Sequence, residues 1–123
     1  MAAQVALRRN VAGLVLESAF TSVQDMARRM IDIPGIEYIV LTDFDTVEAV
    51  QNSDVPLVII HGTDDTLVPI EMGYALHDAA RSSQKRIYVV RGASHWNTHY
   101  LAANGYRDWL GSMGRSKCVT GVC

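Results

Sequence analysis

Three short, nearly continuous apolar runs punctuate the chain, at residues 11–16, 55–60 and 87–90. Runs this short, rich in Val, Ile and Leu and without polar alternation, predict strands buried on both faces. The stretches between them are long enough for crossover helices. Over 21–30, Val23, Met26, Ala27 and Met30 recur at i, i+3, i+4 and i+7, one face of a helix. Pro69 suits the first turn of a helix over 70–80, because it has no N–H to leave unpaired there. Beyond the third run, Ala102, Tyr106, Trp109 and Met113 fall at helical spacing, with Asn97 or Thr98 able to cap that helix. Residues 1–9 pattern as the last turns of another helix and 46–51 as a short one, while Pro34-Gly35 breaks any helix across 31–54. Helix and strand thus alternate, which predicts the α/β class: a three-stranded parallel sheet, strands side by side in chain order, joined by right-handed crossover helices. The expected domain covers 1–113, followed by a loose, polar tail over 114–123.

Composition narrows the field without choosing a function. The 123 residues are 49% hydrophobic and 20% charged, which fits one globular domain with a core and argues against a disordered chain. Nine glycines and three prolines without a biased tract exclude a collagen-like or linker-like one. No apolar run approaches the ~20 residues of a bilayer span. Met1-Ala2-Ala3-Gln4 lacks the charged-then-apolar layout of a secretory signal, so a cytoplasmic location is expected. Cys118 and Cys123 lie too close to the end to staple a fold, and their C-x₄-C spacing lacks partner ligands. The net charge of −2 predicts no nucleic-acid partner. Its distribution is uneven, since residues 31–80 hold ten acids and no Lys or Arg. One reading is an acidic cleft for a cationic substrate. The plainer one is solvated surface and helix starts, where carboxylates suit the macrodipole; the dispersed acids favour it.

In an open parallel sheet, ligands and catalytic groups gather beyond the carboxyl ends of the strands. Two loops lie there: His61-Gly62-Thr63-Asp64-Asp65 after the second run, and Arg91-Gly92-Ala93-Ser94-His95 after the third. Asp65 and His95 stand at equivalent positions, each five residues past its run. Neighbouring strands are ~4.8 Å apart, so the two side chains can meet. A carboxylate on one imidazole nitrogen fixes the tautomer and stabilises the imidazolium formed in general-base catalysis. The competing reading is that Asp65 only caps the helix opening at Pro69. His95 and His99 have the four-residue spacing of a metal-binding helix, but Trp96 occupies the position where a zinc-protease helix needs Glu. No metal and no cofactor is expected, since no glycine-rich phosphate loop follows any strand. Trp96 is a candidate pocket wall or a simple packing residue.

At these residues the sequence resembles the α/β-hydrolase superfamily, in its small serine hydrolases of esterase, thioesterase or peptidase type. Residues 56–69, PLVIIHGTDDTLVP, resemble that family's strand and acid loop, H-G-x-x-D-x-x-V-P. Gly92-Ala93-Ser94-His95 resembles its terminal histidine loop, and residues 11–22 resemble the strand that follows the nucleophile's helix. The resemblance covers roughly residues 1–113 and implies the C-terminal half of that fold. It also implies Asp65 as triad acid, in preference to Asp64, and His95 as general base. His61 is implied to be a structural loop residue.

The family's serine sits in a G-x-S-x-G elbow, and these 123 residues contain none. Ser18 is flanked by Leu16 and Phe20, Ser94 has Trp96 where the second glycine belongs, and Ser112 has Leu110 in place of the first. The expectation is therefore a C-terminal serine-hydrolase fragment carrying Asp65 and His95 but neither nucleophile nor oxyanion hole, and inactive alone. Its parent would take an ester, thioester or amide substrate. The alternative is a non-enzymatic α/β binding module or a non-functional truncation product. An open frame encoding G-x-S-x-G just upstream of the Met1 codon favours the first reading, and in-frame stops the second. A chain without its nucleophile strand also exposes an apolar edge at 11–16, which predicts self-association.

Overall fold

A computed structural model of the chain describes residues 2–30, 45–103, 105, 106, 108 and 111. The expected Pro34-Gly35 break, the helix positions Trp109 and Met113, Ser112, both cysteines and the tail over 114–123 lie outside the described residues. Helix α1 (Ala2–Arg8) leads into strand β1 (Leu14–Glu17) and helix α2 (Val23–Met30). A short α3 (Thr46–Gln51) precedes β2 (Leu57–Gly62); α4 (Ile70–Ala79), β3 (Lys85–Val90) and the single turn α5 (Thr98–Leu101) follow. The strands are parallel and ordered β1-β2-β3, as the alternation of the sequence predicts.

The strand limits differ from the hydrophobic runs for a stereochemical reason. Pro56 has no N–H to give to a ladder, so β2 begins at Leu57 and the chain upstream offers only a carbonyl, which accepts from Leu14 N at 2.8 Å. Leu14 pairs with Leu57, so β1 starts there and not at residue 11. At its other end β2 runs on through His61 and Gly62, which pair with Val89 and Val90. β3 starts earlier than expected, because Lys85 is drawn in by the C-terminal carbonyls of α4: its Nζ donates to His77 O at 2.8 Å and Ala80 O at 3.0 Å.

Burial follows the two-residue period of a strand. Leu57 and Ile59 face a cluster of Ala3, Ala6, Leu14, Leu16, Ala49, Val50, Leu76 and Ala80, which packs α1, α3 and α4 on one side of the sheet. Val58 and Ile60 face the opposite side, against Ala102, Val15, Tyr88, Val90 and Tyr106. β2 is therefore buried on both faces, as expected. β3 is not; it is half-buried along its length, with Arg86 and Val89 exposed, as an edge strand is. The α2 stripe is likewise only half-buried and Met30 is exposed. Tyr106 donates to Glu17 Oε2 and ties the C-terminal helical residues to the end of β1. Burial, then the hydrogen bond and charge of Glu17, push the Tyr106 phenol far above its ordinary pKa. Among the described residues no helix is long and apolar enough to cross a membrane.

Several described acids of the 31–80 segment serve local structure. Asp45 caps α3, its Oδ1 accepting from Glu48 N at 2.9 Å, and Asp54 pairs with Arg81 at 3.1 Å. Glu71 lies in the first turn of α4, and Asp78 is exposed beside His77.

Candidate active site

The loops that leave β2 and β3 are stitched together before any side chain of the site is placed. Thr63 N donates to Val90 O at 3.1 Å, Asp64 N to Ala93 O at 2.9 Å, and Gly92 N to Thr63 Oγ1 at 2.9 Å. Gly92 turns with φ +72°, in the left-handed region that glycine adopts freely. Gly62 allows the crossing: a Cβ there would stand 2.1 Å from Ala93 O, so only glycine lets the β3 loop lie across the end of β2.

This stitching brings Asp65 and His95 together. His95 Nδ1 lies 2.9 Å from Asp65 Oδ2. A carboxylate only accepts, so Nδ1 carries a proton, and in the neutral ring Nε2 is the nitrogen that keeps a lone pair. The second carboxylate oxygen holds the loop itself, with Oδ1 accepting from Val68 N at 2.7 Å and Leu67 N at 3.1 Å. Asp65 therefore does not cap α4, whose N-cap Pro69 has no side-chain partner; one of its oxygens closes the loop ahead of the helix and the other meets His95. Burial of Asp65 by itself would raise its pKa. The Val68 N–H, the His95 hydrogen bond and the positive potential of His95 and His61 outweigh it, and the carboxyl lies below its ordinary value of 3.8.

Asp64 is exposed and accepts from the neighbouring Thr63 hydroxyl at 2.8 Å, away from His95. Trp96 is no core residue: it is 77% exposed, with its ring edge-on to the His95 imidazole at 5.1 Å. Asn97 stands at the N-cap of α5 without capping it by its side chain; its Oδ1 turns back to accept from Ser94 N at 2.7 Å, which closes the histidine loop. Among the described residues there is no cluster of three metal-ligating side chains. His61 departs from its expected place in a loop. It is the fifth residue of β2, fully buried, and its Nε2 lies 2.8 Å from Val68 O.

His95 also lines a cavity of about 420 Å³ beside the carboxyl end of β1, with Glu17, Ser18, Phe20 and Thr46 among its other walls. Ser18 is held at φ +46°, yet its buried Oγ makes no hydrogen bond to His95 or to any other described group. Ser94 meets its loop neighbours through its backbone, N–H to Asn97 and carbonyl to Thr98. No described serine is therefore hydrogen-bonded to the imidazole.

Comparison with known proteins adds relatives of two kinds. No family model matches the chain. The uncharacterized protein YfhR of Salmonella typhi is 30% identical over 99 residues, which are 80% of this chain and 33% of YfhR. The lysophosphatidylserine lipase ABHD12 of Danio rerio is 32% identical over 84 residues, 58% of this chain and 22% of the lipase. The chain spans about a third of the length of the first of these curated relatives and less of the second. Among solved structures, the esterase Pf2001 of Pyrococcus furiosus superposes with a TM-score of 0.65 at 19% identity, over 93% of this chain and 49% of the esterase. The esterase domain of a Rhodothermus marinus protein gives 0.59 at 20% identity, over 85% of this chain and 54% of that domain. At these identities the likeness is one of fold.

Proposed function

The chain carries part of the α/β-hydrolase fold, and from that premise we propose that Asp65 and His95 are the acid and general base of a site that cleaves ester, thioester or amide bonds. In this reading the attacking serine and the oxyanion donors lie outside these 123 residues. The Nδ1–H to Oδ2 contact of 2.9 Å carries the proposal. It leaves Nε2 of His95 as the one ring nitrogen able to take a proton, on a residue that lines the cavity at the strand ends.

The chemistry follows from that arrangement. As the serine oxygen bonds to the substrate carbonyl carbon, its proton passes to His95 Nε2, and Asp65 stabilises the imidazolium. The imidazolium returns the proton to the leaving alcohol, thiol or amine as the bond to the carbonyl carbon breaks. Water then attacks the acyl group with His95 again as base, and the serine is released. The esterases of like fold, and the lipase among the relatives, favour ester-type substrates within this range. In this reading the domain's contribution from this chain runs over residues 1–113.

The test is hydrolysis of an activated ester by the chain alone and by the chain extended with its in-frame upstream coding sequence. The 123-residue chain is expected to stay at the background rate. The extended protein is expected to turn over, and His95→Ala to lower its kcat by about 10²-fold or more. Turnover by the chain alone, lost on His95→Ala, would overturn the proposal that the nucleophile lies elsewhere.

A further inference from the structure

The buried His61 has no part in the proton transfers above, yet it lies against the group that orients them. Three contacts close a ring: Asp65 Oδ1 accepts from Val68 N at 2.7 Å, His61 Nε2 lies 2.8 Å from Val68 O, and His61 Nε2 lies 3.6 Å from Asp65 Oδ2. Both polar groups of Val68 are thus engaged within this ring, the N–H by the carboxylate and the carbonyl by the imidazole. Because a carbonyl only accepts, His61 Nε2 bears the hydrogen and donates to Val68 O. The same N–H presents its positive end to Asp65 Oδ2, the oxygen that receives His95 Nδ1. At 3.6 Å this is an electrostatic contact and not a second hydrogen bond. With both side chains fully shielded from solvent it acts through a low dielectric.

The other ring nitrogen is fixed by shape. His61 Nδ1 is buried without a hydrogen-bond partner, as suits the bare nitrogen of an Nε2–H tautomer. A Cβ on Gly73 of α4 would stand 2.8 Å from that atom, so the ring is seated close against the helix at its glycine. Strand alternation puts His61 on the same side of the sheet as Leu57 and Ile59, the side that α4 covers.

We infer that His61 is a positioning residue for the acid: through the Val68 carbonyl and its own Nε2–H it holds the Asp65 carboxylate in the place where His95 Nδ1 meets it. The inference rests on the acid–base reading of Asp65 and His95. Its test is NMR of the ¹⁵N-histidine-labelled chain in dilute solution, which reads the tautomer of each histidine and the exchange protection of the His95 Nδ1 proton. His61 is expected to be the Nε2–H tautomer. His61→Leu, which removes the donor, is expected to lower the protection of the His95 proton about tenfold, the scale of one lost hydrogen bond. His61→Gln, which keeps an N–H near the position of Nε2, is expected to retain most of it. Gly73→Ala leaves His61 in the sequence but displaces its ring, and raises helix propensity in α4, so it reports on position even where His61→Leu does not fold. It too is expected to lower the protection.

An Nδ1–H tautomer at His61 would overturn the inference, as would full protection in both His61→Leu and Gly73→Ala. Absence of a protected His95 Nδ1 proton in the unmodified chain would overturn the Asp65–His95 pair and this inference with it. Its presence, but insensitivity to His61, would overturn this inference alone.

Discussion

Two adjacent carboxylates, Asp64 and Asp65, have opposite fates because one loop turns between them. Asp64 lies on the solvent side with the Thr63 hydroxyl, and Asp65 turns inward to two backbone N–H groups and an imidazole. In the extended protein Asp65→Asn is therefore expected to lower kcat by about 10²–10⁴-fold, since an amide does not support the imidazolium as a carboxylate does. Asp64→Asn is expected to stay within a few-fold of the unmodified rate, and steady-state kinetics of the two variants checks the difference. Asp65 also links stability to pH. Its folded pKa lies below the ordinary 3.8, so the folded state holds the charged form more strongly than the unfolded chain. The stabilisation is fully present above the unfolded value and is lost as pH falls through the folded one. Urea midpoints between pH 7 and pH 3 are expected to fall less steeply at the acid end in Asp65→Asn than in the unmodified chain.

At the scale of elements, the parallel strands and their order were legible because runs of Val, Ile and Leu separated by helical periods leave few other topologies. The H-G-x-x-D spacing also made the meeting of Asp65 with His95 legible, since equivalent loop positions on neighbouring strands converge. Less was legible where neighbours decide. Pro56 shifted the start of β2, Lys85 was drawn into β3 by the end of α4, and β3 is half-exposed although its apolar 87–90 run predicts a strand buried on both faces. The environment of His61 was hidden for the same reason: strand parity gives its face, but only the packing of α4 seats its ring against Gly73. Gly62 is the sharpest test at this scale, because the atom a Cβ would strike belongs to backbone and not to a flexible side chain. Gly62→Ala is expected to destabilise by about 1–3 kcal/mol, the range for an overpacked site. It is also expected to abolish the protected Nδ1 proton of His95 by pushing the histidine loop off the end of β2. Ile59→Ala, in the fully buried middle of the same strand, is expected to lose about 2–5 kcal/mol while leaving the site's geometry in the surviving folded fraction. Denaturant unfolding followed beside the histidine spectrum separates the two effects.

For the whole molecule, β1 ends the described sheet with apolar Leu14, Val15 and Leu16, and Val5 and Leu7 of neighbouring α1 are exposed. An unblocked apolar edge recruits other chains. The 123-residue chain is therefore expected to sediment as concentration-dependent oligomers, and Val15→Pro, which removes a donor from the edge, to shift it toward monomer. The same architecture leaves Asp65 and His95 joined across two loops, with no described serine hydrogen-bonded to the imidazole. Mass-spectrometric mapping after exposure to a serine-directed phosphonate probe tests that division most directly, in the chain alone and in its upstream-extended form. The account predicts no adduct on the 123-residue chain, and in the extended protein one adduct on a serine outside it that is lost in His95→Ala. An adduct on Ser18, Ser94 or any other serine of the 123-residue chain, formed only while His95 is intact, would contradict it.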